Sequence, residues 1–162
     1  IQVLEINPND DSLSAKYTFG KKGEGLGEFR APVGLAIKDN YLYVADGINY
    51  CIQVLEINPD GSLSAKFTFG KKGKGLGEFG EFLGPDALDI KESYLYVTET
   101  VNSRIQVLEI NPDGSLSPKF IFGRWGRGLG EFYEPGGLAI KDNYLYVVDT
   151  LDSRIQVLEI KY

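Results

Sequence analysis

At 162 residues, with 43% hydrophobic and 25% charged side chains, the chain is long enough for one domain with a real apolar core and too apolar for disorder. A formal net charge of −6 argues against a surface built for the phosphate backbone of nucleic acid, which needs surplus Lys and Arg. No run of about 18 apolar residues is present to span a membrane as a helix, and no charged segment followed by an apolar run reads as a secretion signal.

The chain opens on Ile1-Gln2-Val3-Leu4-Glu5-Ile6, and the same string starts again at Ile52, Ile105 and Ile155, at spacings of 51, 53 and 50 residues. Two insertions account for the uneven spacing. Asn7-Pro8-Asn9-Asp10-Asp11-Ser12 is one residue longer than Asn58-Pro59-Asp60-Gly61-Ser62, and Gly77-Glu78-Phe79-Gly80-Glu81-Phe82 doubles a Gly-Glu-Phe that the other copies carry once. Both belong in loops, where added length costs little.

Within one period the hydrophobic pattern predicts four short strands. Strand A covers 34–37 (137–140 in the last copy), and the turn Lys38-Asp39-Asn40 leads to strand B at 41–44. Asp46-Gly47-Ile48-Asn49 leads to strand C at 52–57, and Asn58-Pro59-Asp60-Gly61 reverses the chain into strand D at 63–69. No segment keeps a 3.6-residue period, and β-branched and aromatic residues crowd the strands, so the repeat is all-β. In strand C, Ile52 and Val54 point one way and Leu55 and Ile57 the other, as in a sheet covered on both faces. In strand D, Leu63, Ala65, Phe67 and Phe69 are expected on one face and Ser64, Lys66 and Thr68 on the other, as at an outer edge. Four-stranded antiparallel sheets buried inside and wetted outside describe β-propeller blades. Counted along the chain, the strands run C-D, A-B-C-D twice, then A-B-C: thirteen strands, about three blades with one surplus C strand. The units are a partial blade 1–20, blades at about 31–70 and 84–123, and a partial blade at about 134–162.

In the last copy Phe122, Gly123, Gly130, Phe132, Pro135, Leu138, Tyr146, Val147, Asp149, Arg154, Ile155 and Gln156 carry a string that resembles the NHL repeat. The resemblance extends over nearly the whole chain. It implies a propeller, usually six-bladed, in a family that mixes protein-binding, RNA-binding and enzymatic members. The chain departs from the pattern where Cys51 stands for the arginine of Arg104 and Arg154, where Glu99 replaces the aspartate of the B–C turn, and where Asp152 replaces its asparagine. Asp46, Asn49, Glu99, Asn102, Arg104, Asp149, Asp152 and Arg154 are expected to be structural, satisfying loop backbone and pinning neighbouring blades.

Such an arrangement leaves both ends open, with unpaired backbone and an apolar face in water. Two chains joined head to tail can close a six-bladed ring. A longer chain can close by itself, and an interface that does not close propagates into a filament.

The loop Gly23-Glu24-Gly25-Leu26-Gly27 and its copies lack the following helix that phosphate binding needs, and read as structural. Lys21, Lys22, Lys71, Lys72, Lys74, Arg124, Trp125 and Arg127 all fall in the D-to-A loops and form the candidate partner-binding face, for an acidic peptide or single-stranded nucleic acid. Acids in the same loops, among them Glu28, Glu78, Glu81 and Glu131, make a solvated mixed-charge rim the plainer reading. Histidine is absent and Cys51 is the sole cysteine, which excludes Ser-His-Asp and Cys-His devices, an intrachain disulfide and the usual zinc sites. Cys51 itself is expected to be buried and inert. Asp86 and Asp89 interrupt an A strand, an odd number of residues apart, so a regular strand sends them to opposite faces. No cofactor or metal is expected. The reading is a non-enzymatic repeat scaffold whose partner is itself, in head-to-tail order, or another protein. A filament subunit and a nucleic-acid-binding propeller are the alternatives.

Overall fold

A computed structural model describes residues 1–80 and 84–161, so Glu81 and Phe82 of the doubled Gly-Glu-Phe, with Leu83, lie outside the described residues. Strands β1 (Gln2–Ile6) and β2 (Leu13–Thr18) form a hairpin. In the following loop β3 (Lys21–Lys22) and β4 (Glu28–Phe29) make a two-residue parallel pair. Then come two four-stranded antiparallel sheets in simple meander order. Counting the hairpin as the first sheet, the second is β5 (Pro32–Lys38), β6 (Tyr41–Asp46), β7 (Cys51–Ile57) and β8 (Leu63–Phe69). The third is β9 (Leu88–Lys91), β10 (Tyr94–Glu99), β11 (Arg104–Ile110) and β12 (Leu116–Phe122). A three-stranded sheet of β13 (Pro135–Lys141), β14 (Tyr144–Asp149) and β15 (Arg154–Glu159) completes the described residues.

The hairpins follow from their turn chemistry. At the C–D reversal the Asn58 N–H donates to the Ser62 carbonyl at 2.8 Å and Asp60 accepts the Ser62 N–H at 2.9 Å, while Gly61 takes φ +81°. Few side chains other than glycine tolerate that left-handed backbone. The longer first copy places Asp11 at φ +56° instead, with the Asp11 N–H on the Asn7 carbonyl, so the extra residue is taken up within the turn.

Three apolar seams separate the successive sheets. Leu42, Val44 and Leu55 face β1–β2 and gather Phe29, Leu63 and Ala65. Tyr43, Ile52 and Val54, on the other face of the same strands, meet Leu95, Val97 and Leu108 of the next sheet. Tyr96, Ile105 and Val107 meet Leu145, Val147 and Leu158 of the last. Strand C is therefore covered on both sides, as its sequence implies.

Strand D differs from expectation. Phe67 and Phe69 lie in the seam toward the third sheet, whereas Leu63 and Ala65 lie in the seam toward the hairpin. A bulge explains the switch: Val54 pairs with Phe67 and Leu55 with Ala65, leaving Lys66 unmatched and shifting the alternation by one residue. The same bulge recurs at Lys16 and Lys119. Each bulged lysine reaches the glutamate of its neighbouring C strand, Lys16 to Glu5 (3.2 Å), Lys66 to Glu56 (2.9 Å) and Lys119 to Glu109 (2.7 Å). A bulge and a lysine on an outer strand are also what discourages unwanted pairing at that edge.

Candidate functional site

Every passage from one sheet to the next is a glycine-rich loop that drives a phenylalanine, Phe29, Phe79 or Phe132, into the seam it crosses. Phe79 meets Phe69 edge to face with ring centroids 6.2 Å apart, and Phe132 meets Phe122 in the same way. Beside each phenylalanine a glutamate folds back on its own loop. Glu28, Glu78 and Glu131 accept the N–H of Gly25, Gly75 and Gly128 at 2.9–3.0 Å with one oxygen. The other oxygen pairs with Lys21 (3.0 Å), Lys71 (3.1 Å) and Arg124 (2.7 Å). The backbone N–H first, and then the cation, hold all three carboxyls below the usual range. A Cβ at Gly73 would stand 2.2 Å from the Glu78 carboxylate, so a larger residue there would push that carboxylate off its place in the loop.

A second set of side chains clamps these loops from the B–C turns. Glu99, fully buried, accepts from the Gly80 N–H (3.1 Å), Asn102 Nδ2 (2.7 Å), Arg104 Nε (2.6 Å) and Gln106 Nε2 (2.8 Å). The Arg104 guanidinium also donates to the carbonyls of Lys74 (2.5 Å), Gly75 (3.2 Å) and Glu78 (3.0 Å). In the last sheet Asp149 accepts from the Tyr133 N–H (2.7 Å), Arg154 Nε (2.8 Å) and Gln156 Nε2 (2.9 Å), and Arg154 donates to the carbonyls of Arg127, Gly128 and Glu131. Burial alone would raise the Asp149 carboxyl; the Tyr133 N–H, Arg154 and Gln156 outweigh it and leave the group below its ordinary value. In the second sheet Asp46 accepts the N–H groups of Arg30 (3.1 Å) and Ala31 (2.8 Å) and Asn49 Nδ2 (2.7 Å), and Asn49 also donates to the Gly23 carbonyl at 2.9 Å. No guanidinium stands at Cys51; its buried thiol is pushed up to about 12 by burial, with the Asp46 charge adding to it. Such a thiol holds almost no thiolate at neutral pH.

The eight residues of the candidate binding face thus divide. Lys21, Lys71 and Arg124 are engaged by the glutamates of their own loops. Lys22 is exposed, Lys72 lies 5.3 Å over the Tyr50 ring, and Lys74 gives its carbonyl to Arg104. Arg127 pairs with Asp152 (3.3 Å) and sits 5.7 Å from the Tyr133 ring, which Trp125, 69% exposed, meets in a T-shaped pair. Each set comes together within one loop and its adjoining turn. Asp86 precedes β9 and accepts the Thr100 N–H (3.0 Å), while Asp89, within β9, accepts the Ile140 N–H of the neighbouring sheet (2.7 Å). Among the described residues no group of three or more His, Cys, Asp or Glu converges as metal ligands.

Two features escape the sequence reading. Gln53, Gln106 and Gln156 lie buried and accept the N–H of Gly27 (2.8 Å), Gly77 (2.8 Å) and Gly130 (2.9 Å). A glutamine kept in every copy, between the apolar Ile and Val of strand C, is the signal for them. The loop phenylalanines are the other, visible as the one large apolar residue of each glycine-rich stretch.

A groove of about 770 Å³ opens between the third and last sheets, lined by Phe120 and Phe122 on one side and Val157 and Leu158 on the other. It lies along the free edge of β15, where the sheets before it carry a fourth strand.

The model of the LVIVD repeat, a β-propeller-like repeat family, matches residues 33–54 and 136–153. No curated protein matches the chain. Among solved structures, it superposes on a protein provisionally named a 6-phosphogluconolactonase from Bacteroides uniformis with a TM-score of 0.70 at 15% identity, covering 99% of this chain and 46% of that one. A functionally unknown protein from Desulfotomaculum acetoxidans gives 0.67 at 17% identity, covering 97% and 46%. A second provisionally named 6-phosphogluconolactonase, from Bacteroides fragilis, gives 0.64 at 16%, covering 98% and 48%. The chain spans about half the length of these structures, and the likeness is one of fold: antiparallel four-stranded sheets in a propeller-like repeat.

Proposed function

We propose that the chain is a non-enzymatic scaffold of NHL type that contributes about three blades and closes a six-bladed ring with a second copy of itself in head-to-tail order. The observation that carries this reading is the complementarity of the two end sheets. A two-stranded C–D piece lies at one end and a three-stranded A–B–C piece at the other, with an apolar groove beside the latter. Burying such a groove is the main favourable term in association. The match over about half the length of the solved propeller-like structures supports the same reading, and it equally suits a chain in which further repeats fill both ends. The buried ionisable side chains Asp46, Glu99, Arg104 and Asp149 all hold loop backbone, which supports a rigid frame without turnover. Engagement of Lys21, Lys71 and Arg124 within their loops weakens the nucleic-acid reading. Light scattering over a concentration series tests the proposal. A stable species of twice 17.9 kDa is expected, and a monomer at every concentration refutes self-association. A mass that climbs without limit replaces the ring by a filament.

A further inference from the structure

We infer that the free edge of β15 receives strand β2 of a second copy, in a fixed register, and that this copy's own β1 leaves to make room. The inference rests on the self-association proposed above and adds which strands exchange.

β2 already recognises one strand in its own chain, and β15 has the same sequence. β1 presents Gln2-Val3-Leu4-Glu5 to Thr18, Tyr17, Ala15 and Ser14, and β15 carries Gln156-Val157-Leu158-Glu159 in the same order. Carried over, the register sets Gln156 opposite Thr18, Val157 opposite Tyr17, Leu158 opposite Ala15 and Glu159 opposite Ser14. The bulged Lys16 then falls beside Glu159, as Lys66 falls beside Glu56 and Lys119 beside Glu109. In the chain alone Glu159 pairs with Lys161 at 2.9 Å.

The receiving groove shows what is missing. A Cβ at Gly27 would meet Ala65 of the following outer strand at 3.5 Å, and one at Gly77 would meet Pro118 at 3.6 Å. At Gly130 only Phe122 lies within 4 Å, so the seat that Ala15 would take is open. The loop leucine tells the same story: Leu26 is 50% and Leu76 42% exposed, but Leu129 is 86% exposed. Phe120 and Phe122 are 53% and 40% exposed, while Phe67 and Phe69 are partly buried against the seam core. By the phase of the bulge, Leu13 and Ala15 of the incoming strand point into this groove, as Leu63 and Ala65 do in theirs.

Two strands of one sequence compete for β2, and their footings differ. β1 is exposed over most of its length and sits in a two-stranded hairpin, an arrangement of little independent stability. β15 is paired along its whole length with β14 and anchored by Arg154 on Asp149. Exchange replaces the backbone bonds of β1 one for one and covers the groove in addition.

Paired cysteines test the register, since directly opposed residues of antiparallel strands fall within disulfide reach. In a Cys51→Ser background, Ser14→Cys with Glu159→Cys is expected to form, on oxidation, a reducible link between chains. Ser14→Cys with Glu5→Cys is expected to lock β1 onto its own β2 and hold the chain monomeric until reductant is added. Circular dichroism confirms that both variants fold. An oligomer by light scattering that gives no link between chains, or a locked variant that assembles like the parent, overturns the strand exchange and leaves self-association standing. A parent chain monomeric at all concentrations overturns both.

Discussion

Replacing Arg104 with cysteine gives the third sheet the residue that the second sheet carries naturally at Cys51. The guanidinium makes four bonds there: one to the buried Glu99 carboxylate and three to the carbonyls of Lys74, Gly75 and Glu78. Removing one partner of a buried ion pair costs about 3–5 kcal/mol. Here the Gly80 N–H, Asn102 and Gln106 still hold Glu99, and Gln106 still serves the Glu78 carbonyl, so the loss is reduced to about 2–3 kcal/mol. For a domain of this size about 2–4 °C accompanies each kcal/mol, which predicts a melting temperature lower by about 4–12 °C. Arg154→Cys makes the internal comparison. Its side chain is 33% exposed against 9% for Arg104, so solvent screens more of its pairing and the loss is smaller. Thermal melts of both variants at one protein concentration give the answer, since association shifts apparent stability. An Arg104→Cys variant that melts within about 1 °C of the parent, or an Arg154→Cys variant that loses more, would refute the clamp as the device that holds the loops.

Phe79 is fully buried in the seam between the two four-stranded sheets, so Phe79→Ala is expected to lower stability by about 3–5 kcal/mol in urea titrations, and a loss under about 1 kcal/mol contradicts its role as a wedge. Cys51→Arg offers the reciprocal gain. Tyr50 has φ +56° where Ser103 has +51° and Ser153 +50°, so the backbone already has the clamp geometry, and a rise of about 2–4 °C in melting temperature is expected; a fall shows that Asp46 is already satisfied. Acid stability follows from the depressed carboxyls of Glu28, Glu78, Glu131 and Asp149. Their stabilisation is complete above the ordinary values of 4.5 for glutamate and 3.8 for aspartate, and is lost as pH falls through the lower folded values. Urea midpoints are therefore expected to be level from about pH 6 to 5 and to fall only below about 4.5, and a decline that starts near pH 6 contradicts the assignment.

The strand order and the seams were legible because the repeat shows itself four times in one string, and each copy corrects the reading of the others. In the sequence Asp46, Glu99, Arg104, Asp149 and Arg154 stand as charge at a fixed place beside glycine-rich backbone, and in the structure they bond to that backbone. Strand D was misread for a local reason. Alternation fixes a face only while pairing stays one to one, and the bulge at Lys66 breaks it without any glycine or proline to mark the place. The ion pairs within each loop, Lys21 to Glu28 and Arg124 to Glu131, join residues seven apart, a separation that means contact only once the loop has closed on itself. The groove beside β15 belongs to no sequence motif; it is the shape left where the described residues supply three strands and not four.

Images of the assembled particle test the central claim most directly. Negative-stain or cryogenic electron micrographs of the chain at its associating concentration are predicted to show closed discs of six blades, two chains each, with every blade four-stranded. Open arcs of about three blades with no second chain on the β15 edge would contradict the account.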